Sequence, residues 1–272
     1  MLPYDLLELT FALLDTESQI RLRQVSRTTY ENLQITNFYN NFDKKIIVHK
    51  ITDDIIKNYP YITRLYASAN PKITNVDNLT TLRELYAGYT CGIGQNELQN
   101  CDLVILQANS KITNVNHLTN LRVLYATWEC GIDQTGISKL RNLVKLIVNG
   151  NDKITNVNHL TKLRVLHAVY NCGIDQTGIA KLQCLVKLDA KRNRKITNVN
   201  HLTQLEALHA CGNCGINQDG ISMLRDLITL DAASNQKITN VNHLTKLRKL
   251  DATYDCCAEY IKQEYLNYYH VI

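Results

Sequence analysis

The sequence predicts an α/β solenoid: about ten stacked units of 20–22 residues, with a parallel sheet on a concave face, a small helical module before them and a C-terminal capping helix. The first observation behind it is the string Lys-Ile-Thr-Asn-Val. It begins at Lys72, Lys111, Lys153, Lys195 and Lys237, at steps of 39, 42, 42 and 42 residues. The second is a shorter period, since Ile154, Ile174, Ile196, Ile216 and Ile238 follow one another at steps of 20 and 22. The third is that units this short cannot each close a core, so neighbours must share one by stacking.

Within the unit the apolar positions recur as Leu160, Leu163, Leu166, Ala168, Asn171 and Ile174. The same register fits Ile62/Leu65/Ala67/Asn70/Ile73, Leu185/Leu188/Ala190/Asn193/Ile196, Leu205/Leu208/Ala210/Asn213/Ile216 and Leu227/Leu230/Ala232/Asn235/Ile238. This template resembles the leucine-rich repeat. The resemblance implies one short strand per unit on the concave side, with turns and irregular chain behind it.

Ahead of the repeats the spacing becomes helical. Pro3 suits a first helical turn, where its missing N–H would be unpaired anyway, and Leu6, Leu9, Leu13 and Leu14 form one apolar face. Thr16 or Ser18 can cap a second helix through Ile20, Leu22 and Arg23. Leu2-Pro3-Tyr4-Asp5-Leu6-Leu7, then Leu14-Asp15, then Leu22-Arg23-Gln24-Val25-Ser26-Arg27 with Tyr30 together resemble the F-box. Ser26 and Tyr30 depart from the family's Cys and Trp. The resemblance implies docking onto a Skp-type adaptor of a cullin ubiquitin ligase, with Leu2, Pro3, Leu6, Leu7, Leu22 and Val25 as the adaptor-binding residues. The pairing with repeats is similar to F-box/LRR substrate receptors, and the short-repeat style to proteins encoded by large amoeba-infecting DNA viruses.

The expected domains are therefore an F-box-like module over 1–43, the solenoid over 44–258 and a cap helix over 259–272. Lys45-Ile46-Ile47-Val48-His49 reads as a first strand, so no flexible linker is expected between module and solenoid. At the other end Glu259 to Leu266 has helical spacing suited to covering the last open layer.

In the strands, two-residue alternation turns Leu166 and Ala168 inward and Val165, His167 and Val169 outward. The outward central column reads Tyr66, Tyr86, Gln107, Tyr125, Ile147, His167, Asp189, His209, Asp231 and Asp251. A column beside the asparagines reads Ala69, Tyr89, Trp128, Gly150, Tyr170, Arg192, Gly212, Ser234 and Tyr254. Aromatic side chains on a rigid surface give large contact area at low entropy cost. The expected partner-binding residues are Tyr66, Tyr86, Tyr89, Tyr125, Trp128, His167, Tyr170 and Arg192, with a protein as the target.

Composition narrows the function further. A net charge of +5, from 30 basic and 25 acidic residues without a long like-charge run, demands neither nucleic acid nor a membrane surface. The apolar stretch Leu6 to Leu14 is short and carries Glu8, so an intracellular protein, monomeric outside its complex, is expected. Asn78-Leu79-Thr80 fits a glycosylation acceptor, which matters only on a secretory route. Cys91, Cys130, Cys172, Cys214 and Cys256 follow the long period, and at two repeats' separation they lie about 9–10 Å apart, too far to bridge. Cys211-Gly-Asn-Cys214 has zinc half-site spacing but no second half. Asp189, His209, Asp231 and Cys211 could be read as a nucleophile pair or metal site, yet an open sheet offers no pocket to exclude water. His117, His159, His201 and His243 follow Asn-Val-Asn as copied turn residues. No cofactor, metal or catalytic residue is expected. The resemblance to F-box/LRR proteins implies a substrate receptor; the alternative is a ligase-independent binding scaffold whose first helices are only a cap.

Overall fold

Each repeat makes one strand of three residues, and its length follows from burial. The middle leucine is fully covered while its two neighbours face the outer side of the sheet, so one turn of alternation is enough to anchor the chain. The computed structural model describes residues 14, 16–25, 34–38 and 51–253, in two compact units, Met1–Ile112 and Thr113–Ile272.

The first unit holds helix α1 (Thr16–Arg23), strand β1 (Asn37–Phe38), the single turn α2 (Asp53–Ile56), and strands β2 (Arg64–Tyr66), β3 (Glu84–Tyr86) and β4 (Ile105–Gln107). The expected second helix is present as α1. The first described strand, Asn37–Phe38, pairs in parallel with Arg64–Leu65 and lies inside the stretch assigned to the helical module. Lys45 to His49 lies outside the described residues, as do the first helix and the cap over 259–272.

The second unit holds β5 (Val123–Tyr125), β6 (Lys145–Ile147), β7 (Val165–His167), β8 (Lys187–Asp189), β9 (Ala207–His209), β10 (Thr229–Asp231) and β11 (Lys249–Asp251). All pair in parallel and in register, Leu124 beside Leu146 and onward to Leu230 beside Leu250. Behind the strands run three 3-10 turns, Thr135–Ile137, Thr177–Ile179 and Asp219–Ile221. This is the leucine-rich-repeat solenoid that the sequence predicts.

Every letter of the recurring string has a task. Ile154, Ile196 and Ile238 are fully buried, and Val157 and Val199 beside them likewise. The Lys195 N–H donates to Asn193 Oδ1 at 2.8 Å, while its Nζ reaches back to the carbonyl of Cys172 at 3.1 Å. The N–H groups of Thr197 and Asn198 both donate to Gln176 Oε1, at 3.0 and 2.9 Å, and Gln176 Nε2 returns a bond to the Asn198 carbonyl. Gln134 and Gln218 repeat the arrangement on Thr155/Asn156 and Thr239/Asn240. In the first unit Asp53 takes that place, accepting from Thr74 and Asn75. The string therefore satisfies backbone groups that a layer without helices would leave bare.

The interior ladder alternates in chemistry, which the single template missed. Asn70, Asn109, Asn151, Asn193 and Asn235 are buried, but Asn171 and Asn213 are exposed. In those intervening repeats Cys91, Cys130, Cys172 and Cys214 occupy the interior instead. The physical reason is size: the cysteine comes one residue later, and a small apolar thiol fits where a two-sided amide would lack partners. The described cysteines are all free thiols, and burial pushes those of Cys91, Cys172 and Cys214 up to about 11.

Three residues expected to face outward are in fact buried: Val169, Cys211 and Ile147. Val169 and Cys211 follow the last inward alanine, where the chain bends and strand alternation no longer applies. Ile147 sits in register between Tyr125 and His167, whose larger side chains flank it.

The copied histidines are structural in the same sense. His159, His201 and His243 each place Nε2 about 3.0–3.1 Å from a carbonyl of the preceding repeat, those of Ile137, Ile179 and Ile221. Burial holds His159 below the ordinary imidazole value of 6.5. The folded state therefore binds fewer protons than the unfolded one as pH falls below about 6.5, so this stability is present above that value and lost on acidification. Thermal melts at about pH 7.5 and 5.5 test this: His159→Gln is expected to flatten the fall in melting temperature. An equal fall in wild type and variant would contradict it.

Candidate protein-binding face

In the first unit the ring of Tyr66 lies flat on that of Tyr86, with centroids 4.3 Å apart and planes 2° from parallel. Their strands are in register, so the stack follows from placing one tyrosine at the same position of adjacent repeats. Beside them Arg64 Nη2 donates to Glu84 Oε1 at 2.7 Å, fixing the flank of the pair. Tyr89 stands apart from that stack in character, 73% exposed at a backbone φ of 56°.

The second unit has a different device. Trp128 and Tyr170 meet at 5.3 Å with their planes tilted 36°, and the guanidinium of Arg192 lies 5.9 Å from the Tyr170 ring centre. Trp128 reaches Tyr170 by crossing the repeat between them, which carries Gly150. A methyl group on Gly150 would come within 2.2 Å of Trp128 Cε3, so only glycine permits the crossing. Tyr125 lies one column inward, with Lys145 Nζ 5.7 Å from its ring centre.

The backbone of this row is costly. Trp128, Tyr170, Arg192 and Ser234 have φ of 51°, 62°, 57° and 56°, while Gly150 and Gly212 adopt the same conformation freely. For a residue with a Cβ the left-handed region costs about 1–2 kcal/mol, and strain of this kind concentrates at functional sites. The N–H groups there stay paired, Trp128 to the Asn149 carbonyl and Tyr170 to that of Lys191, so the side chains are aimed by a fixed backbone. The sequence located this column correctly, yet the alternation of glycine with Trp, Tyr and Arg was its one sign of strain.

His167 and Asp189 form a pair across adjacent strands, Nδ1 to Oδ2 at 3.4 Å. Burial would raise the Asp189 carboxyl, but the bond from His167, the Lys191 N–H and the charge of His209 outweigh it and hold the group below its ordinary value. Asp189, Asp231 and Asp251 each accept from the N–H two residues on, closing the turn after their strand. That local use accounts for the acidic column. Cys211 is buried beside Asp231, and burial followed by that carboxylate pushes its thiol up to about 12. It is protonated at neutral pH and a poor nucleophile. Among the described residues no cluster of three His, Cys, Asp or Glu side chains is placed to hold a metal.

Of the adaptor-binding residues, Leu22 is half-buried on α1 and Val25 just beyond it is 73% exposed. Leu2, Pro3, Leu6 and Leu7 lie outside the described residues. No described helix is long and apolar enough to cross a membrane.

Residues 1–41 match the F-box domain family. Among solved structures the chain is similar to an internalin, InlF, from Listeria monocytogenes, at 25% identity and a TM-score of 0.52, over 75% of this chain and 71% of that one. It is also similar to the functional domain of InlJ from Listeria monocytogenes, which includes a cysteine ladder, at 20% identity and a TM-score of 0.47, over 75% of this chain and 51% of that one. No curated protein matches the sequence. The chain joins an F-box match at its start to a leucine-rich-repeat solenoid, the pairing its sequence resembles.

Proposed function

We propose that this protein is a substrate receptor of a Skp/cullin/F-box ubiquitin ligase, acting inside the cell. Its F-box segment holds the adaptor through Leu2, Pro3, Leu6, Leu7, Leu22 and Val25, and its sheet face holds a protein target. Catalysis belongs to other subunits, and the receptor contributes by raising the local concentration of its target near them. The observation that carries this reading is the F-box match over residues 1–41 in the same chain as a leucine-rich-repeat solenoid. The exposed, strained Trp128 and its stack on Tyr170 support the second unit as a target-binding surface. Affinity capture of the intact chain from cells is expected to recover a Skp-type adaptor together with a cullin. Recovery of other proteins without any adaptor would leave a ligase-independent scaffold and overturn the receptor reading.

A further inference from the structure

We propose that the hollow around Gly212 in the second unit binds an oxyanion, a phosphate or carboxylate borne by a side chain of a target peptide. The hollow measures about 560 Å³ and is lined by Tyr170, Asn171, Arg192, Arg194, Asn213 and Ser234 along with that glycine. None of these is acidic. Among the described residues the Arg192 guanidinium meets only the Tyr170 ring and no ion pair or side-chain hydrogen bond holds that of Arg194, so two cationic residues line one space without a carboxylate among its lining. Two amides and a hydroxyl complete a lining made of donors, which is the chemistry that phosphate and carboxylate groups select.

The sequence builds this hollow deliberately enough to be read. Arg192 and Ser234 take the left-handed backbone with φ of 57° and 56°, and Gly212 between them leaves room for the arginine stem. A methyl group at Gly212 would stand 3.0 Å from Arg192 Cγ, crowding the guanidinium out of its present line. Tyr170 forms the other wall, its ring held by Trp128 on one side and Arg192 on the other. The charged end of the ligand would meet the arginines beside that ring.

A peptide is favoured over a nucleic acid by two features of the same unit. The neighbouring strand column carries Asp189, Asp231 and Asp251, which would repel a continuous polyanion while tolerating one isolated oxyanion. The Trp128 and Tyr170 rings are already in contact at 5.3 Å, so no base inserts between them.

This inference rests on the reading of this face as the target site, and its test is independent of the adaptor. Calorimetric titration of the full chain would use N-acetyl-phosphoserine amide, N-acetyl-glutamate amide and a ten-residue oligothymidylate. Binding of either amino-acid derivative is expected, the stronger of the two identifying the source of the oxyanion. Arg192→Gln/Arg194→Gln is expected to weaken it about tenfold or more with an unchanged melting curve. Equal binding by the double variant, no binding of either derivative by wild type, or tighter arginine-dependent binding of the oligonucleotide would each overturn the proposal. Loss here with adaptor capture intact would remove the oxyanion site alone; loss of adaptor with the oxyanion bound would remove only the receptor reading.

Discussion

Asn193→Ala is expected to destabilise the protein by about 3–5 kcal/mol, whereas Asn171→Ala changes stability by no more than about 0.5 kcal/mol. The two asparagines hold the same place after an inward alanine in successive repeats, and sequence alone treats them alike. Their surroundings differ. Asn193 Nδ2 donates to the carbonyls of Ala168 and Ile174 at 3.0 and 3.1 Å, and its Oδ1 accepts from the Lys195 N–H, all without access to water. Removing the amide leaves those groups buried and unpaired, and each such orphan costs about 1–3 kcal/mol. Asn171 is exposed, and water replaces whatever it gives up. Urea unfolding midpoints separate the outcomes, and equal shifts for the two variants would refute the alternating ladder.

The second large effect is functional. Trp128→Gly is expected to weaken target capture by about 2 kcal/mol, roughly thirtyfold. Its effect on stability is the balance of two opposing terms. Losing the ring contact with Tyr170 costs about 0.5–1.5 kcal/mol beyond the covered area of the indole, while relieving the left-handed backbone at Trp128 returns about 1–2 kcal/mol. Gly150 already shows that glycine serves at this position of the repeat. Affinity capture with both proteins reads the result: the same proteins recovered by wild type and variant would mean that Trp128 contributes no contact.

How much of this was legible beforehand depends on which force sets each feature. The strand leucines follow from burial with a fixed period, so Leu65, Leu166 and Leu230 were placed from sequence alone. The column beside the asparagines is legible too, because repeats copy position along with residues, but its left-handed backbone is not. What escaped was set by contacts between repeats. Nothing in one repeat says that Cys172 replaces Asn171 in the interior, or that Val169 turns inward at the bend. Arg194 escaped for the same reason, since the hollow it lines is enclosed with Gly212 and Ser234 of later repeats. The Asn37–Phe38 strand is two residues long and carries no periodicity to detect.

The receptor reading stands or falls on a contact between two proteins. Light scattering of the purified full chain mixed with a purified Skp-type adaptor measures it directly, alongside a Leu2→Ala/Pro3→Ala variant. The account predicts one equimolar complex from wild type and two separate species from the variant. Two separate species from wild type would contradict it.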